Sequence, residues 1–314
     1  MTFEHTSDYT LICRGVAQSA SAPRLGRGGR RFKSAHPDFL YEWEGERKQG
    51  MLLTSFSLPF FSHVFKFHQE GEPLSKPFLS IIIPAHNEAE RLPPSLEKIH
   101  AFLCEQDYET EVLVVENGSS DGTLAAARRY VKTIPNLRIL HMDARGKGLA
   151  VQHGMLAANG EYCFLCDADL SMPIDQVNRF LPPKLDPVDV AIGSREVAGA
   201  QRYEEPGYRH MIGRVFNAMV RWMVLPGLMD TQCGFKCFRG EVAKAVFPLQ
   251  TLGGMSFDAE VLFIARKMGF HVQEVAIDWY FDADSRVRMV QDSMRMAFDL
   301  LSIRRNSAQG RYDA

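Results

Sequence analysis

The 314-residue sequence lacks an apolar run long enough to span a bilayer. A membrane helix needs about 18 to 20 consecutive apolar residues, and the best candidate, residues 51–67, is interrupted by Pro59, His63 and Lys66. The net charge is only −2, which gives no indication of nucleic-acid binding. We therefore expect an ordinary globular chain whose membrane contacts, if any, are peripheral.

A disulfide framework is also missing, because six cysteines in a chain of this length are too few to define one. A zinc site is disfavoured, since the pair Cys163 and Cys166 lies inside a predicted strand rather than on a turn. Apolar patterns typical of reduced core thiols surround five of the cysteines: Cys104, Cys163, Cys166, Cys233 and Cys237. They favour a reducing, cytoplasmic location.

Two nucleotide-binding signatures are absent. No G-x-G-x-x-G follows the first predicted strand, so a dinucleotide-dependent oxidoreductase loses its main support. Residues 145–148 (Arg-Gly-Lys-Gly) mimic part of a phosphate-binding loop, but the earlier glycine and the following Ser or Thr of that loop are missing.

Residues 1–50 show neither helical nor strand periodicity, and they hold a Gly/Arg cluster at residues 24–31. A basic disordered arm is one interpretation. We favour another, because residues 15–20 and 30–38 resemble the peptide produced when a transfer-RNA gene is translated by mistake. We expect residues 1–50 to be an unstructured extension, the natural start to be Met51, and residues 51–77 to be a short lead-in.

Strand and helix patterns alternate from residue 78 onward. Residues 78–85 form a nearly continuous apolar run rich in isoleucine, as expected of a parallel strand covered on both faces. Further strands are predicted at residues 111–115, 136–142, 161–166 and 188–192, with helical patterns between them. This alternation predicts an α/β fold with a doubly wound, mostly parallel sheet, helices on both faces and right-handed crossovers.

Two carboxylates, Asp167 and Asp169, follow the fourth predicted strand. At positions i and i+2 of a strand end they point the same way, at the sheet edge where such folds bind ligands. An acidic pair there suits a hard divalent cation that also takes diphosphate oxygens. The alternative is that Asp169 caps a helix that opens near Pro173.

Acidic and amide side chains also follow the first and second strands, at residues 84–88 and 116–122. They can bind ribose hydroxyls and a base edge, while the Gly-Ser turns let the backbone approach a ligand. Plain caps and turns are the alternative for either loop alone. Because both loops and the acid pair fall on one edge of the predicted sheet, we favour a nucleotide site.

The chain resembles the family 2 glycosyltransferases with the GT-A fold, and within them the dolichyl-phosphate β-glucosyltransferase branch. The resemblance runs from residue 78 to about residue 305. It rests on residues 81–88 (Ile-Ile-Ile-Pro-Ala-His-Asn-Glu), 167–169 (Asp-Ala-Asp), 193–195 (Gly-Ser-Arg), 230–236 (Asp-Thr-Gln-Cys-Gly-Phe-Lys) and the branch-specific 91–94, 145–148, 257–262 and Trp279.

The resemblance implies a single catalytic domain at residues 78–305, with a nucleotide-sugar half (78–195), an acceptor half (196–305) and a tail (306–314). It implies inverting, metal-dependent transfer of a sugar, glucose from UDP-glucose, to a dolichyl- or undecaprenyl-type polyprenyl phosphate. Asp167 and Asp169 would hold Mg²⁺ or Mn²⁺, and Asp169, Arg195 and Asp230 would be the catalytic residues. The nucleotide-sugar contacts would be Pro84, Ala85, Asn87, Glu88, Glu116, Asn117, Gly118, Lys147, Asp167 and Ala168.

No His-centred base is evident, and a phosphate acceptor does not need one. A phosphate monoester has a second pKa near about 6 and is mostly a dianion at neutral pH. Cationic side chains would orient it, and arginine matches phosphate oxygens in a bidentate fashion. The candidates are Arg195, Arg209, Arg214, Lys236 and Arg286. For Asp230 we favour a structural or sugar-contact role over that of a general base.

Two alternative functions stay open, one enzymatic and one non-catalytic. One is a family 2 transferase that adds a sugar to a glycan or protein hydroxyl. The other is a non-catalytic nucleotide-sugar-binding relative, suggested because Glu116 and Asn117 stand where the family usually has two acids.

The predicted helix at residues 209–225 mixes apolar residues with arginines, which suits either core packing or an interfacial helix on anionic headgroups. Phe298, Leu300, Leu301 and Ile303 make a second interfacial candidate. We expect an enzyme in the cytoplasm, bound peripherally to the inner face of the membrane.

Overall fold

The computed structural model of the protein describes residues 76–282 and 289–313, apart from the side chains of Arg209 and of residues 289–294. The expectations for residues 1–50 and for nearly all of residues 51–77 lie outside these described residues. The part that is described forms one compact unit.

The first half of this unit alternates strands and helices as the sequence predicts. Its elements are β1 (Leu79–Ala85), α1 (Leu92–Cys104), β2 (Thr110–Asn117), α2 (Thr123–Arg128), β3 (Leu137–Met142), α3 (Lys147–Ala157), β4 (Tyr162–Leu165), a 3₁₀ helix (Ile174–Phe180) and β5 (Val190–Ser194).

The second half is less regular. Its elements are β6 (Gln201–Tyr203), α4 (Gly207–Met223), β7 (Lys236–Arg239), α5 (Gly240–Val246), a 3₁₀ turn (Phe247–Leu249), α6 (Phe257–Lys267), β8 (Val272–Ala276), β9 (Asp278–Tyr280) and α7 (Met289–Ala308). After β8 the chain leaves the main sheet at Ile277, and β9 pairs with β6 in a separate two-stranded sheet.

The main sheet has seven strands in the order β3-β2-β1-β4-β7-β5-β8. Strand β1 pairs in parallel with β2 and with β4, so that Ile82 lies opposite Leu113 on one side and Leu165 on the other. Strand β7 is antiparallel to both β4 and β5, and it separates them. The predicted doubly wound, mostly parallel sheet is confirmed, and its one antiparallel strand comes from the second half of the chain.

Successive side chains of each strand point to opposite faces of the sheet, so an apolar core forms on each face. Ile82 and its neighbours Leu113 and Leu165 pack with α3, α4, α5, α6 and α7. Ile81 and Ile83 pack with α1 and the first 3₁₀ helix on the opposite face. Both faces are covered, which explains why the central strands are apolar throughout.

The cysteines expected to be reduced core thiols are free. Burial raises the pKa of Cys163 and of Cys233 to about 11, so these thiols stay protonated at neutral pH and act as small apolar side chains. Among the described residues, no helix is both long and apolar enough to cross a bilayer.

The described part of the segment predicted as a tail, residues 306–313, packs against the domain. Tyr312 is 1% exposed, and its hydroxyl donates a hydrogen bond of 2.6 Å to Glu260 of α6. Glu260 also accepts hydrogen bonds from the backbone N–H groups of Thr251 (3.0 Å) and Leu252 (2.7 Å). The buried carboxylate thus ties the end of the chain to the loop that precedes α6.

We predict that Tyr312→Phe destabilises the domain by roughly 1 to 3 kcal/mol, the usual cost of removing one partner of a buried, charged hydrogen-bond acceptor. Chemical denaturation of the wild type and the variant measures the difference. Tyr208→Phe is the matched control, since Tyr208 is 65% exposed. Equal unfolding free energies for the two variants would mean that the Tyr312 hydroxyl adds nothing to stability.

Candidate functional site

A cavity of about 450 Å³ opens at the carboxyl ends of β1, β2 and β4. This is the edge at which parallel α/β sheets bind ligands. Residues from both halves of the chain line it: Pro84, His86, Glu88, Arg91, Asn117, Gly146, Lys147, Asp167, Ala168, Asp169, Ser171, Met172, Arg195, Gln232, Cys233, Gly234, Met255, Trp279, Phe281 and Asp282.

The loops after β1 and β2 are joined by Asn87. Its backbone N–H donates to Ser119 Oγ (3.0 Å), and its side-chain Oδ1 accepts from the Ser120 N–H (2.8 Å). Asn87 adopts a positive φ of 56°, a conformation that asparagine tolerates better than most residues. Its side chain therefore organises the rim of the site, and Asn87 does not itself line the cavity.

Asp167 lies on the floor of the cavity and forms an ion pair with Lys147, whose Nζ is 2.6 Å from Asp167 Oδ1. Its other oxygen, Oδ2, packs against Gly234, where the Cβ of any other residue would lie only 2.0 Å away. Glycine is thus required at position 234 for the Asp167 carboxylate to fit. Burial alone would lower the pKa of Lys147, but the carboxylates of Asp167 and Asp258 outweigh burial and raise it.

Asp169 faces the opening of the cavity. Its Oδ1 accepts a hydrogen bond from the Ser171 N–H at 3.0 Å. The following 3₁₀ helix begins at Ile174 after Pro173 and has no side-chain cap, so the alternative that Asp169 caps that helix is wrong. Water reaches this carboxylate, yet the walls of the cleft and the charge of Asp167 raise the pKa of Asp169.

Lys147 is the first residue of α3, and the backbone around it is fixed by contact with the loop before α6. Gly146 has a φ of +151°, and a Cβ there would lie 2.4 Å from the Gly253 carbonyl oxygen. The Leu149 N–H donates to the same oxygen at 3.3 Å. Glycine in the 145–148 run thus serves close packing rather than the wrapping of a phosphate.

The two carboxylates fit a hard divalent cation. Among the described residues, no group of three His, Cys, Asp or Glu side chains could hold a metal by itself. Mg²⁺ in nucleotide enzymes is characteristically held by one or two carboxylates together with substrate phosphates. Asp167 and Asp169 both line the cavity and could supply the carboxylates of such a site.

Arg195 lies on the other wall, at the end of β5. Its Nε and Nη2 contact Asp230 Oδ2 (2.6 Å) and Oδ1 (3.0 Å), and its backbone N–H donates to the same carboxylate at 3.1 Å. Burial alone would raise the pKa of Asp230, which is 0% exposed, but Arg195 lowers it to about 2. The Arg195 guanidinium also lies 5.3 Å from the ring centre of Trp279.

Asp230 therefore supports Arg195 from below and does not line the cavity. This arrangement agrees with the structural role favoured from the sequence. A carboxylate with a pKa of about 2 that is fully engaged by arginine is a weak proton acceptor at neutral pH.

Arg91 was not among the residues predicted for the site, yet it lines the cavity. Its Nε is 2.6 Å from Glu88 Oε2, and its Nη1 is 3.0 Å from Asp282 Oδ2. The i, i+3 spacing of Glu88 and Arg91 was a visible signal for the first contact. The second joins positions 191 residues apart, which no local pattern could indicate.

Eight of the predicted site residues line the cavity: Pro84, Glu88, Asn117, Lys147, Asp167, Ala168, Asp169 and Arg195. Ala85, Asn87, Glu116, Gly118 and Asp230 lie beneath it or at its rim. Glu116 is 1% exposed, and its carboxylate binds the Ser119 N–H (2.6 Å) and His141 Nδ1 (2.5 Å). Burial opposes ionisation of Glu116, but these two contacts lower its pKa overall.

The cations expected at an acceptor phosphate are mostly not brought to the cavity. Lys236 is 0% exposed, and its Nζ contacts Asp258 Oδ1 and the Cys233 carbonyl, each at 2.5 Å. A buried and fully paired ammonium cannot contact a ligand, so Lys236 is a structural residue. Arg214 lies on the exposed face of α4. The side chain of Arg209 and all of Arg286 lie outside the described residues.

Comparison with known proteins gives a consistent result. The chain is 33% identical over 250 residues to the dolichyl-phosphate beta-glucosyltransferase of Dictyostelium discoideum, a match that covers 75% of this chain and 76% of that protein.

Two solved structures share the fold. Mannosyl-3-phosphoglycerate synthase from Rubrobacter xylanophilus has a TM-score of 0.56 and 20% identity, and the match covers 75% of this chain and 76% of the synthase. Glucosyl-3-phosphoglycerate synthase from Mycobacterium tuberculosis, solved with Mn²⁺, UDP and glucosyl-3-phosphoglycerate, has a TM-score of 0.51 and 17% identity over 72% and 78% of the two chains. The GT-A fold expected from the sequence is confirmed.

The family model described as glycosyl transferase family 2 matches residues 80–247. This range includes every strand from β1 to β7 except the first residue of β1, and it contains the acid pair, Lys147 and Arg195. The match spans more than half of the 314 residues, and the protein therefore belongs to glycosyltransferase family 2.

Proposed function

We propose that the protein transfers glucose from UDP-glucose to a polyprenyl phosphate of the dolichyl or undecaprenyl type, with inversion at the sugar. The observation that carries the proposal is that one cavity combines the acid pair with Arg195, while the nearest candidate base, Asp230, is buried beneath that arginine. The named activity of the Dictyostelium relative gives further support.

The donor would lie along the carboxyl ends of β1, β2 and β4. Asn117 and the loop after β1 would contact the nucleoside, and Lys147 would contact the diphosphate. A divalent cation, Mg²⁺ or Mn²⁺, held by Asp167 and Asp169 would offset the charge that develops on the leaving diphosphate. Asp167 at the floor and Asp169 at the opening of the cavity would determine where that cation lies.

The acceptor phosphate would lie near Arg195. Asp230 takes the Nε and Nη2 edge of the guanidinium, and an arginine fork has a second edge with further N–H donors. An oxygen of the phosphate would attack the anomeric carbon from the side opposite to UDP, whose bond to that carbon breaks. Because the phosphate is already a dianion at neutral pH, no side chain needs to remove a proton.

This reasoning favours a phosphate acceptor over a hydroxyl. Transfer to a hydroxyl requires a base, and the two other carboxylates that line the cavity are engaged: Glu88 and Asp282 contact Arg91. Asp230 is ionised but binds a proton too weakly to serve as a base.

A membrane-facing surface on α4 supports a lipid acceptor. Met211, Val215 and Trp222 are 68%, 67% and 86% exposed and recur at helical spacing along one side of α4. The opposite side carries Phe216 and Val220, which are in the core. The two interpretations of this helix, core packing and an interfacial role, therefore apply to its two sides.

Arginine borders the exposed stripe of α4, with Arg214 exposed beside it. An apolar stripe with an arginine edge fits a bilayer that carries anionic headgroups. The second candidate, on α7, divides in the same way: Phe298 and Leu301 are 67% and 56% exposed, whereas Leu300 and Ile303 are in the core. We propose peripheral binding to the cytoplasmic face of a membrane through these side chains.

An acceptor screen tests the proposed reaction. Radiolabelled UDP-glucose, UDP-galactose and GDP-mannose are each offered with polyprenyl phosphate in detergent, or with soluble glycans and peptides. We expect a glucolipid that is labile to mild acid. Transfer only to hydroxyl acceptors would refute the proposal, as would donor binding without any turnover in the presence of Mg²⁺ or Mn²⁺.

We predict that Asp169→Asn keeps the fold and loses most turnover. The carboxylate contributes one hydrogen bond to a loop and lies at the opening of the cavity, so little stability depends on its charge. Initial rates under saturating donor measure the loss, and thermal unfolding serves as the control. A rate within about threefold of wild type, roughly 0.7 kcal/mol in the barrier, would contradict a role for this carboxylate in cation binding.

We predict that Arg195→Lys raises the KM for polyprenyl phosphate by about tenfold or more, since lysine keeps the charge but loses the planar fork. Donor affinity, measured by calorimetry with UDP, should stay within about twofold, because the proposed donor contacts do not include Arg195. Lysine is preferred to alanine here because it leaves the buried Asp230 with a cationic partner. Loss of UDP affinity with an unchanged acceptor KM would assign Arg195 to the donor site instead.

We predict that Trp222→Ser weakens binding to vesicles of mixed neutral and anionic lipid by about tenfold, the effect of removing one large apolar side chain from an interface. Co-sedimentation with vesicles measures it. The control is Val131→Ser, which removes an apolar side chain that is 47% exposed elsewhere on the surface. Equal losses in both variants would show that the α4 stripe is not the membrane contact.

A further inference from the structure

Lys147 forms an ion pair with Asp167, a carboxylate that the proposed reaction assigns to a cation. Its Nζ is 2.6 Å from Asp167 Oδ1, and the two side chains are 22% and 25% exposed. The pair is thus partly open to the cavity, and a ligand that enters the cavity can reach both partners.

We propose that Lys147 is a built-in counter-ion for Asp167 that makes cation binding and nucleotide binding depend on each other. In the free enzyme, the ammonium group neutralises Asp167 and keeps the cation weakly bound. When the nucleotide diphosphate enters, Lys147 exchanges Asp167 for a phosphate oxygen, and the cation takes its place on the carboxylate. This inference rests on the proposed metal-dependent function. It adds that the two ligands, the nucleotide and the cation, bind interdependently through Lys147.

The ammonium of Lys147 already contacts one of the two oxygens of Asp167, Oδ1. The other oxygen, Oδ2, faces Gly234, which has no side chain to cover it. A cation that binds either oxygen of this carboxylate therefore comes close to the ammonium. Two like charges within about 4 Å repel strongly in a cavity with restricted water, so displacement is the favoured outcome.

The anchoring of Lys147 allows such an exchange. Its backbone is held at the first turn of α3 by the contact of Gly146 with Gly253, while its side chain has four methylene groups and can swing about that fixed point. The start of a helix also favours an anion, so a diphosphate beside Lys147 gains from the backbone as well as from the ammonium group.

Other buried charges nearby do not compete for Lys147. Asp258 is 3% exposed and close enough to act on Lys147, but its own partner is Lys236, with 2.5 Å between Nζ and Oδ1. Asp169 lies at the opening and accepts from Ser171. Of these three acids, Asp167 is the one with which Lys147 forms its ion pair.

Thermodynamic linkage makes the inference measurable. If a nucleotide removes Lys147 from Asp167, it raises the affinity for the cation, and the cation raises the affinity for the nucleotide by the same factor. Couplings of this kind are typically about 5- to 150-fold. A lysine that simply contacts phosphate would instead contribute equally to nucleotide binding with and without the cation.

The experiment measures Mn²⁺ binding to the full chain by electron paramagnetic resonance, with and without UDP, and UDP binding by calorimetry, with and without Mn²⁺. In the wild type we expect UDP to tighten Mn²⁺ binding by about tenfold or more. Lys147→Gln should bind Mn²⁺ about tenfold more tightly than the wild type in the absence of UDP, and its coupling should be about tenfold smaller than that of the wild type, the remainder coming from phosphate oxygens that ligate the cation directly.

Two further variants complete the design. Lys147→Arg keeps the charge and should keep the coupling, which separates a charge effect from a loss of shape. Asp169→Asn should weaken Mn²⁺ binding in every background. Thermal unfolding checks that each variant is folded, and Lys147→Met replaces Lys147→Gln if the latter is not.

The outcomes separate this inference from the proposed function. Unchanged or weaker Mn²⁺ binding by free Lys147→Gln, alongside normal UDP-dependent binding by the wild type, overturns the role of Lys147 and leaves the metal site intact. If the wild type binds no Mn²⁺ even with UDP present, the metal-dependent function is itself wrong, and the inference falls with it.

Discussion

The parallel pairing of β1 with β2 on one side and with β4 on the other is the constraint on which the site depends. Parallel strands place all of their carboxyl ends at one edge, so the loops after β1, β2 and β4 must meet there. The apolar residues of these strands fix the register, because a slip of one residue would turn Ile81 and Ile83 to the opposite face. The chemistry of the cavity is thus positioned mainly by the apolar packing of these strands.

Within that frame, the cavity is organised by charges that are already paired. Lys147 with Asp167, Arg195 with Asp230, and Lys236 with Asp258 lie at increasing depth, from partly exposed to fully buried. Each partner of a deep pair needs the other, since an unpaired charge at that depth would be strongly destabilising. Asp169 differs from these acids in lying at the opening of the cavity, where partial burial and the charge of Asp167 raise its pKa.

The sequence predicted the first half of the fold well because its information there is local. Isoleucine-rich strands, amphipathic helices and Gly-Ser turns follow one another at short range, and the position of the acid pair followed from them. The second half depends on contacts between distant positions. The place of β7 between β4 and β5 and the bend at Ile277 that pairs β9 with β6 have no local signature.

The site shows the same division. Asp167, Asp169, Lys147 and Arg195 carry motif and strand-end signals, and the structure brings all four to one cavity. Lys236 belongs to the same motif as Asp230, yet the sequence could not reveal that it faces inward to Asp258. Trp279 was visible only as part of a resemblance, because its contact with Arg195 joins β9 to β5. Whether a side chain is buried and which partner it contacts are tertiary properties. They cannot be predicted from a short sequence motif alone.

The position of β7 has a consequence for how the chain can be divided. The strand comes from the half assigned to the acceptor, but it fills the gap between two strands of the donor half. A fragment that ended near Arg195 would leave β4 and β5 with open edges, and open edges of apolar strands promote pairing between molecules. During synthesis, the same two edges remain uncovered until β7 emerges, so that the nascent chain depends on the arrival of this short strand to avoid aggregation. The parts of the chain before and after Arg195 are therefore inseparable as folding units.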